Sequence, residues 1–580
     1  MSQLAAPRTL LGLAAVAVAF AAADTYVVVL SLPDMMASAG LSIDELQRAA
    51  PIVSGFLLGY VAMLPLLGRI ADLRGRVPVL VASLAIFAFG SLLTAAAYDL
   101  DSLVVGRFLQ GVGGGGLVPV TLALVADLYP VERRAVPLGV VGAVQELGSV
   151  LGPLYGAVVL VFGDWRDIFW INLAVGLVLW AAISRLVRER AEQRRDWIGG
   201  VLLVVWLTLL LLTMLRPRDL VTSVAWGGPW VPWVGGSVWL TPIGVATVGC
   251  GIALVAWLLF AARRSRPVLV DLPTWWDSVR QADLVGAGLL AAALAGVILA
   301  FASADPEVQV FSPAGPWLLL GSAVMSALFW WHSRRSSAPL VPHRSLVRTP
   351  AWGSLVVSFF VGAALIAALV DIPIFARVTS YGDSQIKAAL VLVEFLIALP
   401  VGALLGGALT RRLPSGVVAA VGMASASLGF VLMAGWGLDT LHHLWSSAVL
   451  ALTGLGFGLA LAPVNAALLA TTATAVHGVA SAMLVVARMV GMLVGISALT
   501  TIGLRRYYAV SADIPAPAEV CGNGVTRCED YTMLLKLAGL EQLHAIFVGA
   551  AVAAGIAAVA ALVLLRGADT RGIRTGVSTL

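Results

Sequence analysis

Long apolar runs separated by short polar segments make up most of this chain. Sixteen of these runs approach the roughly 20 apolar residues that a membrane-spanning helix needs. They cover residues 10–32, 50–70, 77–98, 103–127, 135–161, 168–187, 197–215, 238–262, 284–303, 314–332, 350–376, 386–409, 415–436, 443–470, 477–504 and 541–565. The pattern predicts an all-α, polytopic membrane protein with sixteen spans, or fourteen if two central segments lie flat or re-enter.

The composition supports this class. Of the 580 residues, 60% are hydrophobic and 12% are charged, whereas a soluble domain has about 25% charged residues. Lipid must therefore be the solvent for most of the surface. No basic stripe with interleaved aromatic residues lies outside the short loops, so we attribute the net charge of +5 to membrane orientation rather than to nucleic-acid binding.

Basic residues are distributed unevenly between the loops. If the N-terminus is cytoplasmic, 24 of the 36 Lys and Arg residues lie in loops on the cytoplasmic side and 10 lie in loops on the other side. Cytoplasmic loops of membrane proteins carry such an excess of basic residues. The count therefore predicts that both termini are cytoplasmic.

The outer parts of the chain contain a weak internal repeat. Three pairs of landmarks recur in order at separations of 347, 344 and 342 residues: Asp24 and Asp371, Pro119 and Pro463, and Glu146 and Arg488. Many secondary transporters are built from two such halves. The repeat predicts two bundles of six helices.

A second repeat lies between these bundles. The segment that starts at Asp196 (DWIGGVLL) resembles the segment that starts at Asp283 (DLVGAGLL), which indicates a duplicated helical hairpin. We therefore predict an N-terminal bundle over 1–196, a linker of two hairpins over 197–338, and a C-terminal bundle over 339–580.

The loop after the second run has the sequence GRIADLRGRVPV from Gly68. Glycines allow a tight turn, and Asp72 and Arg76 are able to form a charge clasp that closes in one conformation and opens in another. A plain basic loop is the alternative. The string resembles the signature loop of the major facilitator superfamily, which implies a cytoplasmic gate formed by Gly68, Asp72 and Arg76.

The fifth run contains Gly148, Gly152, Pro153 and Gly156. Their spacing is typical of close helix packing, and it also resembles the antiporter motif of proton-coupled exporters in that superfamily. The strings RFLQG from Arg107, DTYVVVLSLP from Asp24 and WRDIFWIN from residue 165 resemble hallmarks of its drug:proton antiporter branch. The resemblance implies a major facilitator fold with extra central helices.

A narrower resemblance rests on QELGSVLGPLYG (145–156), DWRDIFW (164–170), FLIALPVGA (395–403) and VVARMVGM (485–492). These strings are similar to those of the mycobacterial triacylglyceride exporters. That family implies a bacterial inner-membrane location, a periplasmic lipid-carrying lipoprotein as partner, and long periplasmic ends on the last two helices, for which 505–540 is the candidate here. The family has one central hairpin, whereas the sequence repeat of this chain predicts two.

Ionisable groups inside spans are costly and are therefore functional candidates. Asp24 is the first candidate for a proton site, because burial disfavours its charged form and a nearby Arg favours it; a fixed structural ion pair is the alternative. Glu146 is the second candidate, with Arg488 as its partner, although Arg488 could equally serve Asp24. Arg107 is either tied to proton coupling, as the resemblance implies, or anchors a helix end.

Four further residues complete the candidates. Asp371 and Glu394 are second-rank cavity residues, since either is expected near a helix end. Cys521 and Cys528 share a polar loop, where they form either a disulfide or two free thiols. The spacing of the cysteines fits no zinc or redox motif, so we expect no metal site.

These features favour a membrane transporter over an enzyme. The helices offer few polar side chains besides the charges, which suits an apolar substrate, and no phosphate-binding Gly-Lys-Ser/Thr loop is present. The first hypothesis is a monomeric exporter of lipids that uses the proton gradient and no cofactor, and the resemblance implies that these lipids are triacylglycerides. A hydrophobic-drug:proton antiporter is the second hypothesis, and a membrane scaffold or receptor is the third.

Overall fold

The computed structural model of the protein describes residues 7–41, 46–188, 196–264, 266–302, 314–342, 345–381, 385–521 and 528–570. Within these ranges the chain forms nineteen α-helices and no β-strand. A helix satisfies its backbone hydrogen-bonding groups within one segment, which is the condition for crossing lipid. The predicted all-α membrane class is confirmed.

The N-terminal part consists of α1 (Pro7–Ser38), α2 (Leu46–Arg74), α3 (Arg76–Ala95), α4 (Leu100–Leu128), α5 (Ala135–Phe162) and α6 (Trp165–Arg188). Gly75, the one residue between α2 and α3, has a φ of 97°, which L side chains rarely adopt. A capping box at Asp99 and Ser102 starts α4. Turn and cap chemistry thus set the limits of these helices.

The linker and the C-terminal part follow. The linker contains α7 (Trp197–Leu215), α8 (Arg218–Val221), α9 (Pro242–Arg263), α10 (Leu272–Gln281), α11 (Leu284–Ala302) and α12 (Gly315–Arg335). The C-terminal part contains α13 (Thr349–Val378), α14 (Gln385–Leu409), α15 (Ser415–Met433), α16 (Leu444–Thr471), α17 (His477–Ser511), α18 (Pro517–Cys521) and α19 (Glu529–Leu564). The predicted domain limits fall between α6 and α7 and between α12 and α13.

Each of the sixteen predicted runs overlaps one α-helix, and seven of them extend past its described ends by up to four residues. Fewer helices qualify as spans. In the described part of the chain, thirteen are long and apolar enough to cross a membrane, and α10 with α11, bent by 70°, makes a fourteenth if the two form one span. By this criterion the count of sixteen is an overestimate. The alternative count of fourteen equals the largest number of spans found among the described residues. Trp, Ser and His residues lower the hydropathy of α12.

The two faces of the bundle are defined by where helices end. A Cβ added at Gly353, near the start of α13, would touch Leu564 at the end of α19. The end of α2 likewise meets the start of α17, through contacts between Gly68 and Gly478. We call this side the terminal face, because α1 begins and α19 ends there, and the other side the opposite face.

The first linker hairpin is closed by one carboxylate. Asp196 caps α7 by accepting a hydrogen bond from the backbone N–H of Gly199 at 2.8 Å. It also accepts from Nε1 of Trp257 on α9 at 3.0 Å and from the N–H of Leu269 after α9 at 3.2 Å. A single Asp thus ties both helices of the hairpin together at the terminal face.

The second hairpin repeats this arrangement. Asp283 accepts from the N–H of Gly286 at the start of α11 at 3.0 Å, from the N–H of Leu340 after α12 at 2.9 Å, and pairs with Nε2 of His332 at 2.7 Å. The sequence repeat between Asp196 and Asp283 therefore corresponds to a repeated structural role, a cap that also binds the second helix.

The second hairpin is attached to the N-terminal part near the loop between α2 and α3. Helix α11 packs along α2 and also contacts α17. The guanidinium of Arg74 stacks on the ring of Trp275 in α10 at 4.4 Å and donates to Ser278 at 3.5 Å. The amphipathic helix α10, which the sequence reading did not predict, thereby contacts the signature loop directly.

Candidate functional site

A buried ion pair lies inside the N-terminal bundle. One Nη atom of Arg107 on α4 donates to Oδ2 of Asp24 on α1 at 2.6 Å, and each residue is 1% exposed. Charges removed from water persist only when they are paired and hydrogen-bonded. Arg107 is therefore the described ion-pair partner of Asp24, and it is an interior residue rather than an anchor at a helix end.

Neutral polar side chains complete the shell around this pair. Nδ2 of Asn172 on α6 donates to Oδ1 of Asp24 at 2.5 Å, and Nε2 of Gln110 donates to the same oxygen at 3.3 Å. Gln110 also accepts from Arg107 at 2.9 Å. Sequence reasoning quoted Asn172 and Gln110 within motif strings without giving them a role; their polarity inside apolar runs was the available signal.

Helix α3 extends the hydrogen-bond network. Nε2 of Gln110 donates to Oγ of Ser91 at 2.9 Å, and Oγ1 of Thr94 donates to Oε1 of Gln110 at 3.3 Å. Both hydroxyl side chains are fully buried. Side chains from α1, α3, α4 and α6 thus form one buried hydrogen-bond network around the Asp24 carboxylate, and such networks rigidify an interior.

The glycines of the fifth helix bring α1 and α5 into backbone contact. A Cβ at Gly148 or Gly152 would collide with the carbonyl oxygen of Ala19 or Ala23, and one at Gly156 would collide with the side chain of Val27. Because Ala23 precedes Asp24 in the chain, the motif fixes the part of α1 that carries the carboxylate. The motif therefore has a packing role at the segment of α1 that carries Asp24.

We expect Gly152→Ala to destabilise the protein by about 1–3 kcal/mol, because the added methyl group overpacks the α1–α5 contact. Gly142→Ala on the same helix is the matched control, since a Cβ there meets nothing within 4 Å. Thermal unfolding of the purified variants in detergent measures the difference. Equal midpoints for both variants would contradict this account of the motif.

A charged latch joins the two halves at the terminal face. The carboxylate of Asp72 accepts from the backbone N–H groups of Gly478 and Val479 at 2.8 and 3.0 Å. These N–H groups lie in the first turn of α17, where the helix dipole favours an anion. A Cβ at Gly68 would collide with the Gly478 carbonyl group, so only a glycine permits this approach.

Arg76 completes the latch. It pairs with Asp72 at 2.9 Å and donates to the carbonyl oxygen of Thr474 at 2.9 Å, which lies just before α17. It also pairs with Asp127 at the end of α4 at 3.2 Å. The latch, formed by Gly68, Asp72 and Arg76 with residues 474–479, is closed in this structure.

Two small cavities lie between the halves. The first, of about 20 Å³, is lined by Gln145, Asn465 and Arg488 among apolar residues. The second, of about 40 Å³, is lined by residues that include Phe56, Gln145 and Arg488. Sites for drug-sized ligands measure about 300–1,000 Å³, so neither cavity holds a lipid in this conformation.

Arg488, Asp371 and Glu394 are not among the described hydrogen-bond partners of Asp24. Glu146 and Pro153 are on α5, but their side chains are outside the part that the structure describes. Arg488 is 8% exposed and lines both cavities. Asp371 on α13 and Glu394 on α14 line neither of these cavities, and Glu394 is exposed.

The fold and the site define a multi-pass membrane transporter, with a buried ion pair in one half and a charged latch between the halves. The family model described as Major Facilitator Superfamily matches residues 14–334. The chain belongs to this superfamily, as the signature loop and the fourth- and fifth-helix motifs predicted.

Curated relatives cover most of the chain. A triacylglyceride transporter of Mycolicibacterium hassiacum is 36% identical over 87% of this chain and 82% of its own length. One of Mycobacterium tuberculosis is 34% identical over 88% of this chain and 85% of its own length. The structure of the human organic anion transporter MFSD10 aligns with a TM-score of 0.53 at 15% identity, covering 96% of this chain and 99% of MFSD10, which supports the fold alone.

Proposed function

We propose that this protein is a proton-coupled, alternating-access exporter that moves triacylglycerides from the inner membrane towards the periplasm. The observation that carries the substrate is the identity of 34–36% to several triacylglyceride transporters over most of the chain. Most residues that line the cavities between the halves are apolar, which agrees with a lipid substrate.

The Asp24 carboxylate is the proposed proton carrier. In its charged form it is held by Arg107, Gln110 and Asn172. A proton that arrives from the periplasmic side neutralises the carboxylate and removes its attraction to the guanidinium. The proton leaves on the cytoplasmic side once the halves have rocked, and the ion pair forms again. The gradient across the membrane thus drives one direction of the cycle.

The latch is the proposed cytoplasmic gate. Asp72 and Arg76 connect α2 and α3 to the start of α17 and hold this side shut. Opening to the cytoplasmic side requires these charge-assisted hydrogen bonds to break. The conformation described here therefore corresponds to a state in which the proposed cytoplasmic gate is closed.

The charge bias of the loops supports a cytoplasmic location of the terminal face. Cys521 and Cys528 form a disulfide between α18 and α19 at the opposite face, which is then periplasmic. We expect both thiols to react with a membrane-impermeant maleimide in intact cells after mild reduction. Cys250, half-buried on α9, is the internal control that stays unlabelled until the membrane is dissolved. Labelling of Cys521 and Cys528 only in lysed cells would contradict this orientation.

The ends of α17 and α19 at the opposite face are the proposed docking site for a lipid-carrying lipoprotein. α17 continues to Ser511 and α19 begins at Glu529, so both helices enter the predicted extension of 505–540. Exposed apolar side chains at these ends include Tyr508, Met533 and Leu537. A monomeric transporter that transfers an apolar product at this point keeps it out of water.

A cellular assay separates the lipid function from its alternative. In a mycobacterial host that lacks its own exporter, wild type should restore outward transport of triacylglycerides, and Asp24→Asn at equal expression should not. The drug:proton antiporter replaces the proposal if triacylglyceride accumulation stays unchanged while resistance to an apolar drug depends on Asp24.

A further inference from the structure

One aromatic side chain lies between the buried ion pair and the second cavity between the halves, which we call the central cavity. Phe56 on α2 is 1% exposed, and its ring centroid lies 4.4 Å from Cζ of Arg107. The same residue lines the cavity of about 40 Å³ together with Thr25 and Arg488. Phe56 therefore contacts the ion pair on one side and the cavity on the other.

The backbone around Phe56 has little freedom to move. A Cβ at Gly111 of α4 would collide with the carbonyl oxygen of Phe56, and one at Gly115 would collide with that of Tyr60. The rings of Phe56 and Tyr60 stack with centroids 5.9 Å apart. Because α2 and α4 touch through their backbones, a path from the cavity to Arg107 opens by rotation of the Phe56 side chain.

The polar partners of Asp24 offer no other described path from the cavity. Arg107, Gln110 and Asn172 bind the carboxylate, and none of them lines either cavity between the halves. Tyr155 on α5 lies close enough to sense the charge of Asp24, and its hydroxyl donates to the carbonyl oxygen of residue 168 at 3.0 Å. Among the described residues, Phe56 lines the cavity and also contacts Arg107, so its ring lies between the cavity and the ion pair.

We propose that Phe56 is a hydrophobic gate that controls proton access to Asp24 from the central cavity. Apolar constrictions stop the passage of water and ions by staying dry. When the cavity widens to admit a lipid, the lipid chain contacts the same ring, so substrate binding and proton access are linked through one side chain. This inference rests on the proposed proton coupling and adds the residue that links the proton to the substrate.

The test is proton entry into proteoliposomes that contain the purified full-length protein and a pH-sensitive dye, with no triacylglycerol added. We expect Phe56→Ala to admit protons at least about tenfold faster than wild type under an imposed pH gradient. Phe56→Leu, which keeps apolar bulk, should remain within about threefold of wild type. The double variant Phe56→Ala/Asp24→Asn should return to the wild-type rate, because the leak passes through Asp24.

Phe169→Ala is the matched control. This side chain is fully buried, and its ring lies 5.7 Å from the same guanidinium, but it packs against Trp165 in a cluster away from the cavities. It should lose stability as Phe56→Ala does and show no leak. Similar leaks in both variants, or a leak that persists in the double variant, would overturn the proposal. A Phe56→Ala variant that remains folded and shows no proton leak would also overturn it.

The failure of this inference is distinguishable from failure of the proposed function. If wild-type triacylglycerol transport depends on the proton gradient and requires Asp24, but Phe56→Ala stays tight, only the gate is wrong. If transport is unchanged both by the gradient and by Asp24→Asn, the proposed proton coupling is wrong. The proposed gate is then wrong as well.

Discussion

Asp24→Asn is expected to abolish gradient-driven transport while the protein still reaches the membrane. One proton moving down a potential of 100 mV supplies about 2.3 kcal/mol, which is equivalent to an approximately fiftyfold concentration ratio. An amide keeps the shape of the carboxyl group but does not take up a proton. The highest triacylglycerol concentration ratio that the variant builds up across the proteoliposome membrane should therefore be about fiftyfold lower than that of wild type.

Stability provides the control for this variant. Removing one partner of a buried ion pair leaves an unpaired charge and costs about 3–5 kcal/mol in soluble proteins. Asp24→Asn should therefore unfold at a lower temperature, and Asp24→Asn/Arg107→Gln should recover part of the loss, because neither charge remains. Neither variant should transport. A double variant with normal transport would show that the pair is only structural.

Asp72→Asn is expected to produce the second large effect, by weakening the closed state of the latch. The carboxylate accepts two N–H groups across the interface between the halves and also pairs with Arg76. Charge-assisted hydrogen bonds contribute about 1.5–3 kcal/mol each. Losing one such amount shifts the balance between the two conformations by roughly tenfold to a hundredfold, and outward transport should fall accordingly.

Asp127→Asn is the matched control for the latch. Asp127 pairs with the same Arg76 at 3.2 Å, but it is 38% exposed and belongs to α4 within the same half. Its replacement should change transport less than about threefold, as exposed ion pairs contribute little. Accessibility of a single cysteine introduced near the terminal face reports the conformational shift directly. Equal accessibility in the two variants would contradict the role of Asp72 across the interface.

The sequence identified the main chemical groups but not their partners. Asp24 and the signature loop were predictable because charges inside apolar runs and glycine-charge patterns are rare and costly. That Arg107, 83 residues later, binds Asp24 depends on how α1 packs against α4. Hydropathy gives the length of each helix but not its neighbours, so the alternative pairing with Arg488 stayed open at that stage.

Neutral and short features were harder to predict. Ser91, Thr94 and Asn172 are polar residues of a kind that also occurs in helices without a functional role, and only the structure brings them around Gln110 and Asp24. Helix α10 has ten residues, too few for a span, and hydropathy therefore did not reveal it. The duplicated Asp196 and Asp283 were visible because caps have a fixed position relative to their helix.

Triacylglycerol flux in proteoliposomes tests the central claim most directly. Purified wild type and Asp24→Asn are compared with fluorescent triacylglycerol, with and without an imposed pH gradient, and transfer to an external lipid acceptor is measured. The proposed function predicts transfer that the gradient accelerates in wild type and that neither condition restores in Asp24→Asn. Equal transfer by both proteins, unaffected by the gradient, would contradict proton-coupled lipid export.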